Sequence, residues 1–128
     1  MFNNKTILIT GGTGSFGKKF VRKLLDDYKC KKIIIFSRDE LKQFELREAL
    51  VSHKNAKALR FYIGDIRDRN RVFDSLTNVD FVVHSAALKQ IEAAEYNSQE
   101  CIKTNILGTQ NIIDGCIEKN VKKVISLS

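Results

Sequence analysis

The 128-residue sequence has no proline and no tryptophan, a single methionine, two histidines and three cysteines. Cys30, Cys101 and Cys116 are odd in number, form no C-x-x-C pair and have no histidine at ligand spacing. This argues against a disulfide framework or a metal site and for free buried thiols in a reducing cytosol. No apolar stretch approaches the length of a signal or membrane helix, and strand-like residues begin almost at Met1. A soluble, cytoplasmic protein with no membrane contact is therefore expected. Repeats, low-complexity tracts and internal linkers are also lacking. With 43% hydrophobic residues over this length, residues 1–128 are expected to form one domain. Such a domain can bury a core but is short for an enzyme with separate cofactor and substrate parts. Lys+Arg number 22 against 15 Asp+Glu, a formal charge of +7 that favours anionic partners. The basic residues are interleaved with acidic ones, without a one-faced stripe or a nucleic-acid motif, so nucleic acid is not an expected partner.

What the chain does have is Thr10-Gly11-Gly12-Thr13-Gly14-Ser15-Phe16-Gly17, directly behind the apolar run Ile7-Leu8-Ile9 and ahead of a helical pattern. Backbone approaches a pyrophosphate closely only where side chains are absent, and the N–H groups and positive end of a helix then face the anion. From Gly12 the run reads G-x-G-x-x-G, the dinucleotide fingerprint; from Gly11 it reads G-x-x-G-x-x-G, the variant favoured by short-chain dehydrogenases. Gly12 to Lys18 also fits G-x-x-x-x-G-K, but Lys19 stands where a P-loop needs Ser or Thr for magnesium.

Taken in order, Lys5 to Thr10 reads as a buried strand, and Phe16, Phe20, Val21, Leu24, Leu25 and Tyr28 recur at helical spacing. Lys32 to Phe36 is a second strand, apolar enough to be central in a parallel sheet. Leu41, Phe44, Ala49 and Leu50 suggest a second helix, followed by a strand from about Leu59 to Ile63 and a short helix carrying Val72, Phe73 and Leu76. Val79 to His84 is a fourth strand. From Ser98 a long helix shows Cys101, Ile102, Asn105, Ile106, Thr109, Ile112, Ile113, Cys116 and Ile117 at three- and four-residue steps, with Asn97 and Glu100 placed to cap it. Lys123 to Leu127 is the last strand. Five strands alternating with four helices imply an α/β fold, a Rossmann-type doubly wound parallel sheet.

Ligands bind such sheets beyond the carboxyl ends of the strands. After the second strand comes Ser37-Arg38-Asp39-Glu40, where an NAD enzyme places a carboxylate on the ribose 2′-hydroxyl. Arg38 instead offers a bidentate partner for a 2′-phosphate, with Ser37 and Lys42 in support, and points to NADP. One charge-assisted bond of about 1.5–3 kcal/mol gives a roughly ten- to hundredfold preference. Asp39, itself able to reach the ribose, keeps NAD open, and Ser37 with Glu40 also fits a helix capping box. After the third strand, Asp65 is placed to accept from an adenine amino group and the Ile66 N–H to serve the ring; an Asp turn is the alternative. After the fourth strand come His84-Ser85-Ala86-Ala87-Leu88-Lys89, small residues for the cofactor backbone with Lys89 as a cation at the mouth. His84 reads as a packed strand-end histidine and His53 as a surface residue.

With these pieces placed, the sequence resembles the extended short-chain dehydrogenase/reductase family and, within it, the inverting UDP-N-acetylglucosamine 4,6-dehydratases. The resemblance runs over the whole chain. It is carried by the glycine stretch and by Phe36 to Gln43, Tyr62 to Asp68, Ala86 to Gln90, Ala93 to Asn97, Cys101 to Asn105 and Lys122 to Ile125. It implies NADP contacts at positions matching Thr13 to Phe16, Ser37 to Lys42, Asp65, Ile66, Ser85 and Asn105, with Lys89 near both nicotinamide and substrate. It also implies a homo-oligomer acting on UDP-N-acetylglucosamine. The reaction would remove hydride from sugar C4, lose water across C5 and C6, and return hydride to C6 with inversion at C5.

The family usually shows Ala at the position of Ser85 and prolines at those of Glu92 and Ser98, the loop before the long helix. Its Thr-Asp-Lys acid/base group would follow the position of Ser128, and its Tyr-x-x-x-Lys pair lies further on. Tyr28 and Lys32 share that spacing but fall away from the carboxyl edge. No catalytic residue is therefore expected within this chain, which should not turn over substrate alone. Two other readings stand beside the dehydratase: a non-catalytic NADP-binding module and a UDP-sugar 4-epimerase.

Overall fold

The computed structural model describes residues 1–85 and 98–126, with side chains throughout except at 98–105. Among the described residues, five strands, β1 (Thr6–Thr10), β2 (Lys32–Ser37), β3 (Leu59–Ile63), β4 (Phe81–His84) and β5 (Lys123–Ser126), alternate with four α-helices. These are α1 (Ser15–Asp27), α2 (Glu40–Leu50), α3 (Arg69–Ser75) and α4 (Ser98–Glu118). Every strand pair is parallel and the sheet order is β3-β2-β1-β4-β5. The chain thus builds outward from β1 to β3, returns, and builds outward again through β4. That reversal lies between β1 and β4, where a Rossmann-type sheet opens a crevice at its carboxyl edge.

Alternation along the strands divides the core into two layers. Ile7, Ile9, Ile33, Ile35 and Val83 pack under α1 and α2 with Val21, Leu24, Leu25, Leu46 and Leu50. Leu8, Phe36 and Val82 point the other way, onto Ile66, Val72, Leu76, Ile112 and Cys116. A strand wet on neither side needs no polar face, and β1 is buried at all five positions, with Ile7, Leu8 and Ile9 consecutive at its centre. β4 starts two residues later than expected because Asn78 takes a left-handed conformation (φ 62°) and Val79 closes a turn onto Leu76 O. Asp80 then accepts the Thr6 N–H at 2.9 Å, tying the amino ends of β1 and β4.

On two helices only part of the apolar pattern faces inward: Leu50 on α2, and Ile112 and Cys116 on α4. On α2 the buried residues are Gln43, Leu46 and Leu50, while Leu41, Phe44 and Ala49 are exposed. On α4, Gly108, Asn111, Ile112, Gly115 and Cys116 face the protein, and Ile106, Ile113 and Ile117 face out. Close approach explains the second case: a Cβ on Gly115 would lie 2.6 Å from Leu76 Cδ1, and one on Gly108 would overlap the Ile66 side chain. Glycine lets α4 settle onto α3 where isoleucine could not. Phe16 is also exposed, stacked on Phe20 with centroids 5.8 Å apart, and edge strand β5 leaves Val124 and Ile125 exposed. His53, expected at the surface, is largely covered: its Nε2 lies 2.8 Å from Asp26 Oδ1 and its Nδ1 accepts the Asn55 N–H. Cys30 and Cys116 are free thiols, half-buried and buried. The Cys101 side chain, Asn97 and Leu127 lie outside the described residues. Among the described residues, no helix is long and apolar enough to cross a membrane.

Candidate functional site

Four strand ends meet at the carboxyl edge. At the first, Gly11 has φ 67°, a left-handed conformation that costs a residue with a Cβ about 1 kcal/mol or more. Its N–H bonds Phe36 O at 3.1 Å, fastening the loop to β2. A Cβ at Gly17 would lie 2.5 Å from both Gly11 O and Gly12 Cα, so the first turn of α1 rests on bare loop backbone. At Gly12 a Cβ would come within 2.8 Å of Ile35 Cγ2. Gly14 differs: a Cβ there meets only Gly11 O, at 3.4 Å. The protein's own packing accounts for Gly11, Gly12 and Gly17 but makes little demand at Gly14. Gly14 is also the N-cap of α1, with no side-chain cap and no acidic residue in the first turn. The positive end of the helix, with exposed Ser15 and Phe16, is thus left to an anion.

At the second strand end Ser37 is buried. Its Oγ accepts the Asp39 N–H at 3.0 Å and lies 3.4 Å from Thr13 Oγ1, joining β2 to the glycine loop. The capping box expected from Ser37 and Glu40 does not form. Asp39 is the N-cap of α2 and accepts the Lys42 N–H at 3.0 Å, because Ser37 still belongs to β2 and lies two residues too early. Glu40 and Lys42 are exposed in the first turn. Arg38 extends from this loop with its side chain 55% exposed, and Nη1 stands 3.7 Å from Asp65 Oδ2.

At the third, Asp65 is less open than its sequence position suggests. Arg67 donates its backbone N–H to Oδ1 at 2.9 Å and its guanidinium to both carboxylate oxygens, the shortest contact being 2.7 Å. The hydrogen bonds from Arg67 hold the carboxyl below its usual range, and Arg38 adds to the effect. Ile66 is buried, and its carbonyl accepts from Asn111 Nδ2 of α4 at 2.9 Å. Among the described residues no acceptor takes the Ile66 N–H. Sequence reasoning passed over Arg67; the Asp-x-Arg spacing in Asp65-Ile66-Arg67 is the signal that could have found it.

The fourth is a buried polar knot. His84 Nδ1 lies 2.6 Å from Thr10 Oγ1, and Nε2 lies 3.1 Å from Thr109 Oγ1 of α4. Ser85 donates its N–H to Thr10 Oγ1 and its hydroxyl to Thr10 O. Burial pushes the His84 imidazole down to about 4, so it is neutral at physiological pH. The Ser85 hydrogen is held within the protein, and the residue forms part of the wall beside β1. Ala86 and Lys89 lie outside the described residues, as does the side chain of Asn105, whose backbone belongs to α4 one turn before Thr109. Among the described residues no group of three His, Cys, Asp or Glu could hold a metal ion.

The model of a family described as polysaccharide biosynthesis protein matches residues 7–128. The chain is 58% identical over 128 residues to a UDP-N-acetylglucosamine 4,6-dehydratase (inverting) of Campylobacter jejuni, covering all of this chain and 37% of that one. It is 46% identical over 131 residues to a UDP-glucose 4-epimerase of Rickettsia typhi, with the same coverage. Among solved structures, the dTDP-glucose 4,6-dehydratase DesIV of Streptomyces venezuelae, with NAD bound, superposes with a TM-score of 0.74 at 28% identity. That match covers 93% of this chain and 38% of DesIV. The chain therefore spans little more than a third of the length of the proteins it matches.

Proposed function

The chain belongs to the polysaccharide biosynthesis protein family, and on that premise we propose that it is the NADP-binding part of a UDP-N-acetylglucosamine 4,6-dehydratase. The observation that carries the reading is the division of labour among the glycines. Gly11 and Gly17 are required by the loop's own packing, whereas Gly14, at the uncapped start of α1, is spare unless an anion approaches its backbone. Thr13, Gly14, Ser15 and Phe16 hold the pyrophosphate. Arg38, flanked by Ser37 and Lys42, takes the 2′-phosphate, and Asp39 is engaged in capping α2. The Ile66 N–H and the Asp65 carboxylate serve the adenine, with Arg67 giving up one oxygen. By the resemblance, the positions of Ser85, Ala86, Lys89 and Asn105 are assigned to the nicotinamide side of the cofactor, and that of Lys89 also to the sugar.

When bound, the nicotinamide supplies the acceptor and donor of hydride for oxidation at C4 and reduction at C6 of the sugar. The residues just named bind and orient. The bonds they form with the cofactor fix its position relative to the sugar, which is where most of their contribution to rate lies. Arg38→Ala tests the cofactor assignment: NADP affinity falls by roughly ten- to a hundredfold while NAD affinity holds. Equal loss of both would sink the 2′-phosphate role. A 4-epimerase is the second reading, favoured by the identity to the Rickettsia typhi protein. Incubating the intact protein with UDP-N-acetylglucosamine separates them, since only a dehydratase yields a 4-keto-6-deoxy sugar.

A further inference from the structure

Gln43 is a polar residue on the core-facing stripe of α2, in line with Leu46 and Leu50 and just 3% exposed. A buried amide is unfavourable unless its hydrogens find acceptors, and leucine would pack this stripe at less cost. The amide nitrogen meets that need. Gln43 Nε2 lies 3.4 Å from Ile35 O, 3.3 Å from Ser37 O and 3.1 Å from Tyr62 O, two hydrogens shared among three carbonyls. Two of those carbonyls belong to the end of β2 and the third to the end of β3. The Ser37 carbonyl also accepts the Gly64 N–H at 3.0 Å, so both strand ends converge on it.

The residues that follow these carbonyls are Arg38 on one side and Gly64-Asp65 on the other. Their side chains meet across the gap, Arg38 Nη1 standing 3.7 Å from Asp65 Oδ2. Arg38 itself is more than half exposed. Its position depends on the backbone beneath it, and Gln43 grips that backbone from inside the core. Ser37, also gripped, is the residue that reaches Thr13 of the glycine loop.

We propose that Gln43 is a positioning residue that sets the spacing between the β2 and β3 loops, and so determines selection of the 2′-phosphate by Arg38. This rests on the NADP reading above. Without the amide hydrogens the two strand ends keep their ladder, the Gly64 N–H bond to Ser37 O and the Arg71 guanidinium on Ile63 O, but lose the side chain that bonds both from within the core, and the Arg38 loop can settle elsewhere. The pyrophosphate contacts are less affected: the glycine loop shares β2 through Phe36 O and Ser37 Oγ, but its turn is also set by the left-handed Gly11 and by the seat of Gly17 on bare loop backbone, neither of which involves Gln43.

The test is isothermal titration of NADP and of NAD against the full chain carrying Gln43→Met, which keeps the volume and removes the donors. NADP affinity is expected to fall about tenfold and NAD affinity less than about threefold, the size of effect that losing a buried hydrogen-bonding group produces. A merely structural role lowers both affinities equally, and that result, or no change in either, overturns the proposal. Arg38→Ala, measured alongside, isolates the reading beneath it. If that variant leaves the NADP to NAD ratio at the wild-type value, the 2′-phosphate site is misassigned and the role of Gln43 falls with it. If Arg38→Ala collapses the ratio while Gln43→Met does not, Gln43 alone is misassigned. Should Gln43→Met fail to fold, Gln43→Asn, which keeps the amide but shortens its reach by one methylene, is judged by the same ratio.

Discussion

His84 offers the sharpest test of how this edge is held together. Its ring is fully buried between Thr10 and Thr109, and burial lowers its pKa from 6.5 to about 4. Between those two values the unfolded chain binds a proton that the folded one refuses, so stability rises with pH through this window and is lost as pH falls. At pH 7.5 neither state is protonated and the effect vanishes. At pH 5 the unfolded imidazole is almost wholly charged and the folded one almost wholly neutral, which costs about 2 kcal/mol; below pH 4 the loss levels off at about 3 kcal/mol. Urea denaturation of the wild type and of His84→Gln, at pH 7.5 and pH 5, isolates this contribution because every other titrating group is common to both. The variant begins less stable, having lost the ring. Its deficit should shrink by about 2 kcal/mol on going to pH 5. Parallel losses in the two proteins would show that the ring is solvated in the native state and that the knot is not closed.

The glycine loop yields a contrasted pair. Gly17→Ala drives a Cβ into the backbone of Gly11 and Gly12, so about 1–3 kcal/mol of stability should go, visible as a lowered melting temperature, with binding of NAD and NADP weakened together. Gly14→Ala, whose Cβ meets only Gly11 O at 3.4 Å, should leave the melting temperature within a few degrees yet weaken both cofactors roughly tenfold or more; a variant that binds normally would remove the reason given for that glycine. The cysteines separate by reactivity. Burial raises the Cys116 thiol to about 11 and raises half-buried Cys30 as well, so iodoacetamide at pH 8 should alkylate Cys30 well before Cys116 in the native protein, as peptide mapping would show. Equal rates would mean that α4 is not seated on α3.

The architecture was readable because its signals are local. Ile7-Leu8-Ile9 and Ile33 to Phe36 are apolar on both faces, and a glycine run between a strand and a helix has few other uses. Helix faces were less readable. On α2 two stripes compete, Leu41 and Phe44 against Gln43, Leu46 and Leu50, and hydrophobicity favours the wrong one because it counts glutamine as polar regardless of partners. On α4 the inward face is chosen by size at Gly108 and Gly115, a property no apolar period records. The Asp39 cap was hidden for a related reason: whether Ser37 or Asp39 caps α2 depends on where β2 ends.

The polar groups of the site were the hardest to foresee, and they share a cause. Thr10 finds His84 across 74 positions of sequence, Thr13 finds Ser37 across 24, and Gln43 finds Tyr62 across 19. Each pair joins a different pair of strand or loop ends, so none exists until the sheet has assembled. Apolar packing cannot replace them here, because the backbone groups at the strand ends still need partners. Buried hydrogen bonds from side chains meet that need and fix geometry at the same time, which a greasy contact of equal area does not. The loops that offer Gly14, Arg38 and Asp65 to solvent are thereby held from beneath by residues that the solvent never reaches.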